Sequence, residues 1–174
     1  MIEKEIKLKL LDVGKISTLE RYIEKKGGIF LGEYSIIDEY FSHPSRDFRQ
    51  TDEALRIRIM NSNIELTYKS PRTANIPKVR EEFTVKVNNY EVLKAILLKL
   101  GFKPIAKITK HRRMFTLNGD VKIFIDNVDR LGYFVEVETE LTEKMLNFID
   151  ILKEAGIRWK LEYKTYLELY LETV

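Results

Sequence analysis

Glu3, Glu5 and Lys7 stand at alternate positions near the start of the chain, and acid, acid and base on one strand face can hold a divalent cation beside an anion. Across residues 1–10, Ile2, Ile6, Leu8 and Leu10 fall on one side and Glu3, Glu5, Lys7 and Lys9 on the other. This is the period of a strand with one dry and one charged face. Carboxylates are hard ligands suited to Mg2+ or Mn2+, and an ammonium is a point charge for a phosphate. We therefore read Glu3 and Glu5 as metal ligands and Lys7 as a phosphate contact. A solvated edge strand of mixed charge has the same alternation, so recurrence along the chain must decide between the two.

The alternation does recur. Arg56 and Arg58 oppose Leu55, Ile57 and Ile59; Glu65, Thr67 and Lys69 oppose Ile64, Leu66 and Tyr68. Arg80, Glu82 and Thr84 share one face of the next strand, Lys122 and Asp126 one face of another, and Glu136 and Glu138 one face of a third. The stretch carrying Lys110 and Arg112 alternates less cleanly. Water-facing strands tolerate like charges at i and i+2, so parity alone leaves both faces open. The alternative to water is a barrel turned inside out, with helices covering its apolar face and charged faces lining a lumen. Such a lumen is costly unless ions and ligand balance its charges. Its acids would cluster on the first strand and on the hairpin of Asp126, Glu136 and Glu138. Its bases would come from Lys7, Arg56, Arg58, Lys69, Arg80, Lys110 and Arg112. A polyphosphate bridged to the acidic wall by divalent cations fits that arrangement.

The elements that must position these residues are strands in hairpin order. After the first strand, Ile16, Leu19, Tyr22 and Ile23 predict a helix over residues 13–27, closed by Gly27-Gly28. Strands are predicted at 30–41, 54–60, 64–70, 79–87, 105–117, 121–128 and 131–138, with Asn118-Gly119 a strong hairpin turn. Asn89 caps a predicted helix over 90–100, Thr142 one over 143–155, and residues 163–171 form a short last helix. Residues 42–53 and 71–77 read as loops. About eight strands without βαβ alternation predict an α+β chain: an eight-stranded antiparallel barrel with covering helices, in one domain over residues 1–174.

Composition narrows the chemistry. With no cysteine and only His43 and His111, disulfides, thiolate sites and multi-histidine metal sites are excluded, so any metal sits on carboxylates. A net charge of +3 is too mild for a nucleic-acid binder, and the bases alternate with apolar positions instead of lining one exposed surface. No apolar run reaches the length of a membrane span, and no signal-peptide pattern opens the chain. The expected location is the cytoplasm, with no membrane or nucleic-acid partner.

In order along the chain these residues resemble the CYTH superfamily, the triphosphate tunnel metalloenzymes, which include class IV adenylyl cyclases and thiamine triphosphatases. The resemblance rests on Glu3-x-Glu5-x-Lys7, Tyr40-Phe41, Arg46-Asp47-Phe48, Thr51 to Arg58, Thr67 to Arg72 and Arg80-Glu81-Glu82. It continues through Lys110 to Arg113, Ile125 to Val128, Leu131 to Glu138 and Thr165-Tyr166. It implies a tunnel binding triphosphate with Mg2+ or Mn2+: Glu3, Glu5, Asp126, Glu136 and Glu138 as metal ligands, and Lys7, Arg56, Arg58, Lys69, Arg80, Lys110 and Arg112 gripping phosphates. Glu3, Glu5 and Lys7 would carry the catalysis. Glu82 matches a family acid without an assigned role.

Hydrolysis needs only triphosphate, metal and water, whereas cyclisation also needs a nucleoside pocket, and no adenine-reading motif stands out. The expected activity is therefore a metal-dependent triphosphatase acting on inorganic triphosphate, ATP or a similar compound. Adenylyl cyclase is the runner-up, and a non-catalytic polyphosphate-binding module a third reading. A homodimer is left open. His43 reads as a loop residue and His111 as facing away from the lumen. Trp159, Tyr163, Tyr166 and Tyr170 read as helix packing, with 163–171 as an alternative cap on one tunnel mouth.

Overall fold

In the computed structural model, which describes residues 2–174, the first strand β1 (Ile2–Leu10) is hydrogen-bonded on both edges. Met1, included in the predicted strand and domain, lies outside the described residues. A single 3-10 turn (Val13–Lys15) leads to α1 (Ile16–Lys25), followed by β2 (Gly28–Ser42), β3 (Ala54–Met60), β4 (Asn63–Lys69) and the two-residue β5 (Ala74–Asn75). Then come β6 (Lys78–Val87), α2 (Tyr90–Lys99), β7 (Lys103–Leu117), β8 (Val121–Val128) and β9 (Gly132–Glu138). The chain ends with α3 (Thr142–Glu154), β10 (Trp159–Leu161) and α4 (Tyr166–Leu171).

Going round the sheet, the order is β1-β9-β8-β7-β2-β3-β4-β6, and β6 pairs back onto β1 through Ile2↔Glu81 to Glu5↔Lys78. Eight antiparallel strands thus close into a barrel, with β5 and β10 as short additions. The second half of β1 pairs with β10, which prolongs the wall where β6 ends. β2 and β7, fifteen residues each, pair along their whole length with register shifts at Phe30/Gly32 and Tyr40/Phe41. At the first shift Gly32 has φ +142°, and a Cβ there would meet the Tyr34 hydroxyl at 2.9 Å, so glycine suits the bulge.

The apolar faces point outward, under helices. Ile6, Leu8, Leu10, Ile123, Ile125, Val135 and Val137 pack beneath α1 and α3 through Leu19, Ile23, Met145, Phe148, Ile151 and Leu152. On the far side, Phe41, Leu55 and Ile57 pack beneath Leu97 of α2. A third cluster is the exception: Tyr40, Ala54, Ala106, Ile108, Val128 and Phe134 alternate in step with the lumen residues and pack with Tyr166 of α4 inside one end of the barrel. Alternate residues on the same strands therefore face the interior, and the inside-out barrel is the observed fold.

Three local expectations change. The helix predicted over 13–27 becomes a 3-10 turn followed by α1, because the Asp12 carboxylate accepts from the backbone and side chain of Arg158 and does not cap. Thr142 is the first residue of α3, not its cap; Leu141 takes that place with no side-chain hydrogen bond. Asn89 does cap α2, accepting from Val92 N at 3.0 Å. No helix among the described residues is long and apolar enough to cross a membrane.

Candidate active site

The barrel encloses a cavity of about 1140 Å³, and all but one of the residues singled out from the sequence line it. The exception, Asp126, lies fully buried behind Lys110 and Arg112. β1 and β9 supply the acidic wall. Their register sets Glu5 opposite Glu138 and Lys7 opposite Glu136. Glu3, Glu5 and Glu138 each offer an oxygen, and these oxygens lie within 4.8 Å of one another. Burial, with the neighbouring carboxylates, raises the Glu5 carboxyl above its ordinary value and lifts Glu138 to about 7. Glu3 is raised too, chiefly by burial and against the pull of Lys69. Three crowded carboxylates that resist ionising together suit a hard divalent cation, whose charge removes the cause of the shifts. On donor chemistry and spacing, the trio fits such an ion.

Asp126 and Glu136 are differently placed. Arg112 Nε and Nη2 donate to Asp126 at 2.7 and 2.6 Å, and Lys110 Nζ donates at 2.9 Å. Glu136 pairs with Lys7 at 3.1 Å and with Arg112. Burial alone would raise Glu136, but Lys7, Lys110 and Arg112 hold it well below the usual carboxylate range. These two acids are already saturated with cations, whereas the trio is short of them.

The remaining wall is basic. Arg56 and Arg58 come from β3, Lys69 from β4, Arg80 from β6, Lys110 and Arg112 from β7. Lys69 pairs with Glu82 and, at 3.4 Å, with Glu3, which gives Glu82 a place in this ring of charge. Arg56 Nε and Arg80 Nη2 are buried yet make no hydrogen bond among the described residues; their ion-pair partners Asp38 and Asp52 lie 3.7 and 3.6 Å away. A buried guanidinium N–H without a partner is costly, and both arginines line the cavity. Burial and the adjacent Arg112 depress the Lys110 ammonium to about 8.

Several lumen residues went unrecognised in the sequence. Lys78, one alternation before Arg80, lies 3.6 Å from Glu5, and burial with Lys7 nearby lowers its ammonium to about 8. The same parity, carried one step back past the predicted start of that strand, would have found it. Asp38, on β2, donates nothing and accepts two bonds from Arg58. Tyr166, taken as helix packing, reaches inside: its hydroxyl donates to Asp126 at 2.9 Å, and Lys7 Nζ sits 3.9 Å from its ring centre. Thr165 and Glu168 form a capping box on α4, and Arg72 bridges Asp52 to Glu168, so α4 lines one end of the cavity. His43 stays in its loop, and His111 is exposed beside Ser35 on the outer surface, as expected.

With this geometry, comparison places the chain among known proteins. The model of the CYTH domain matches residues 1–158, and the chain belongs to that family. Enzymes of this family depend on divalent metal and bind triphosphate substrates such as ATP. The chain is 39% identical to the Methanocaldococcus jannaschii protein named "Putative adenylate cyclase MJ0240", over 97% of this chain and 98% of the other. It superposes on the PH1819 protein of Pyrococcus horikoshii OT3 with a TM-score of 0.84 and 33% identity, covering 99% of each chain. The "Putative adenylyl cyclase HpAC1" from Hippeastrum, which reveals a dominant triphosphatase activity, shares the fold at 17% identity with a TM-score of 0.78, covering 98% of this chain and 96% of the other.

Proposed function

We propose that the chain is a divalent-metal-dependent triphosphatase, taking inorganic triphosphate or an organic triphosphate into the barrel and hydrolysing a phosphoanhydride bond. One observation carries the reading: a carboxylate trio short of cations faces a wall of arginines with donors short of acceptors, inside one cavity. Glu3, Glu5 and Glu138 would hold the cation, and Lys7, Arg56, Arg58, Lys69, Arg80, Lys110 and Arg112 would grip the phosphates. When bound, the cation supplies charge neutralisation at phosphate oxygens and acidifies water. Glu136 and Asp126 keep Lys7, Lys110 and Arg112 aimed into the lumen, so the phosphate chain meets fixed donors instead of mobile ones. Water attacks a terminal phosphorus as the bridging P–O bond breaks; the leaving phosphate oxygen takes that bond's electron pair, the water's proton passes to solvent, and orthophosphate and the shortened phosphate leave along the basic wall.

Adenylyl cyclisation is the second reading, favoured by the name of the Methanocaldococcus relative and by a cavity roomy enough for an organic triphosphate. The two separate by product. Purified chain with Mg2+ or Mn2+ is offered inorganic triphosphate, ATP and thiamine triphosphate, and products are resolved by chromatography. Orthophosphate without cyclic nucleotide supports hydrolysis; cyclic AMP with pyrophosphate from ATP would replace it with cyclisation.

A further inference from the structure

Asp38 is an acid on a wall of bases. It is 2% exposed, faces the cavity from β2, and stands directly opposite Arg58 in the β2–β3 register. Arg58 Nε and Nη2 both donate to it at 2.7 Å, a parallel pair that fixes the plane of the guanidinium. Arg56, two residues away on the same face, comes within 3.7 Å of the same carboxylate without a hydrogen bond. Both carboxylate oxygens are thus engaged by Arg58, and the metal-binding trio belongs to β1 and β9, so Asp38 is no cation ligand. Burial would raise its carboxyl, but Arg58 and Arg56 hold it far below the usual range, so it remains an anion.

Elementary electrostatics makes Asp38 a liability for an anion site, since it cancels one positive charge beside the phosphates. Its geometry offers a reason to keep it. Two guanidinium groups at i and i+2 repel, and with Lys110 nearby they would splay apart along the lumen. A carboxylate that takes one edge of Arg58 and draws Arg56 alongside holds both in one orientation. We propose that Asp38 is a positioning residue which, acting through Arg58, orients the arginine pair to receive the phosphate chain.

The inference rests on the triphosphate reading, and the test keeps the two apart. Inorganic triphosphate is titrated calorimetrically into the full-length chain in EDTA, where binding reports the basic wall without turnover. Asp38→Asn adds net positive charge to the lumen but breaks the two-bond fork. Positioning predicts affinity weaker by roughly tenfold, the worth of one charge-assisted bond, and no further loss when Asp38→Asn is added to Arg58→Ala. Equal or tighter binding by Asp38→Asn overturns the proposal, as does the same loss in the Arg58→Ala background. Should Asp38→Asn not fold, Arg58→Lys keeps the charge without the fork, and wild-type affinity in that variant overturns the proposal instead. A wild-type chain that binds no triphosphate sinks both readings; binding without hydrolysis in Mg2+ removes only the proposed reaction.

Discussion

Tyr166 donates its hydroxyl to Asp126 across the cavity end at 2.9 Å, joining the last helix to the middle of β8. The acceptor, Oδ2, also takes Lys110 and Arg112, so one buried oxygen organises three donors from two elements. The tyrosine ring in turn lies under the Lys7 and Lys110 ammonium groups, 3.9 and 4.7 Å from its centre, and edge-on to Phe134. Tyr166→Phe keeps the ring and removes only the hydroxyl. A hydrogen bond to a charged acceptor is worth about 1.5–3 kcal/mol, so this variant should unfold at lower denaturant with an unchanged slope. An unaltered midpoint would show that the bond contributes nothing.

The carboxylate trio gives the metal-free protein an unusual pH dependence. Glu138 rises from an ordinary 4.5 to about 7 on folding, through burial and the charges of Glu3 and Glu5. Between those values the folded state binds more protons than the unfolded one, so stability falls as pH rises. The contribution is fully present below about 4.5 and gone above about 7, and its size is on the order of 3 kcal/mol. The depressed ammonium groups of Lys78 and Lys110 act in a separate window, above about 8, where stability recovers as they lose their protons. In EDTA, the unfolding midpoint should therefore drop from pH 5 to pH 7.5, and millimolar Mg2+ should reverse the drop at the higher pH. A flat profile in EDTA would remove the trio as a strained anionic cluster.

Most of the strands could be read from the sequence because period two is a strong signal where charge alternates with aliphatic residues, as in Leu55 to Ile59. Parity names two faces without saying which is inside; the availability of helices for the apolar side, together with the family likeness, decided it. The signal fails where neighbours are alike in chemistry. Asp38 and Glu39 are adjacent acids with opposite destinations: Asp38 enters the lumen, while Glu39 is buried outside the barrel under Tyr90 and Lys94 of α2. β10 is three residues long and too short for periodicity, yet its pairing with Leu8 to Leu10 extends the wall. Tyr166 enters the cavity because of the path of the chain end, which no local pattern encodes.

Arg80 is buried with an Nη2 that no acceptor among the described residues satisfies, while Asp52 lies 3.6 Å away and is itself engaged by Arg72. Its stability cost is borne in the ligand-free state, so replacing it removes a liability there. Arg80→Met should leave the unfolding midpoint within about 0.5 kcal/mol of wild type or raise it. Its affinity for inorganic triphosphate should fall roughly tenfold or more, with a shallower dependence on salt. Unchanged affinity would mean that Arg80 faces no phosphate.

Glu136 and Glu138 sit two residues apart on the same face of β9, and their removal should act on stability with opposite signs. Glu138 is an acid among acids, with Lys122 as its ion-pair partner at 3.6 Å. Its replacement by glutamine relieves repulsion, so in EDTA at pH 7.5 the Glu138→Gln protein should be more stable than wild type. It should also lose the stabilisation by Mg2+. Glu136 is an acid among bases, paired with Lys7 and Arg112, and its loss strands buried cations without their partner. Breaking one partner of such a network costs about 3–5 kcal/mol, so Glu136→Gln should be strongly destabilised at the same pH. Denaturant titrations of the three proteins in EDTA check both signs at once. Two shifts in the same direction would mean that the division into cation-poor and cation-rich carboxylates is wrong, and with it the assignment of the metal to Glu3, Glu5 and Glu138.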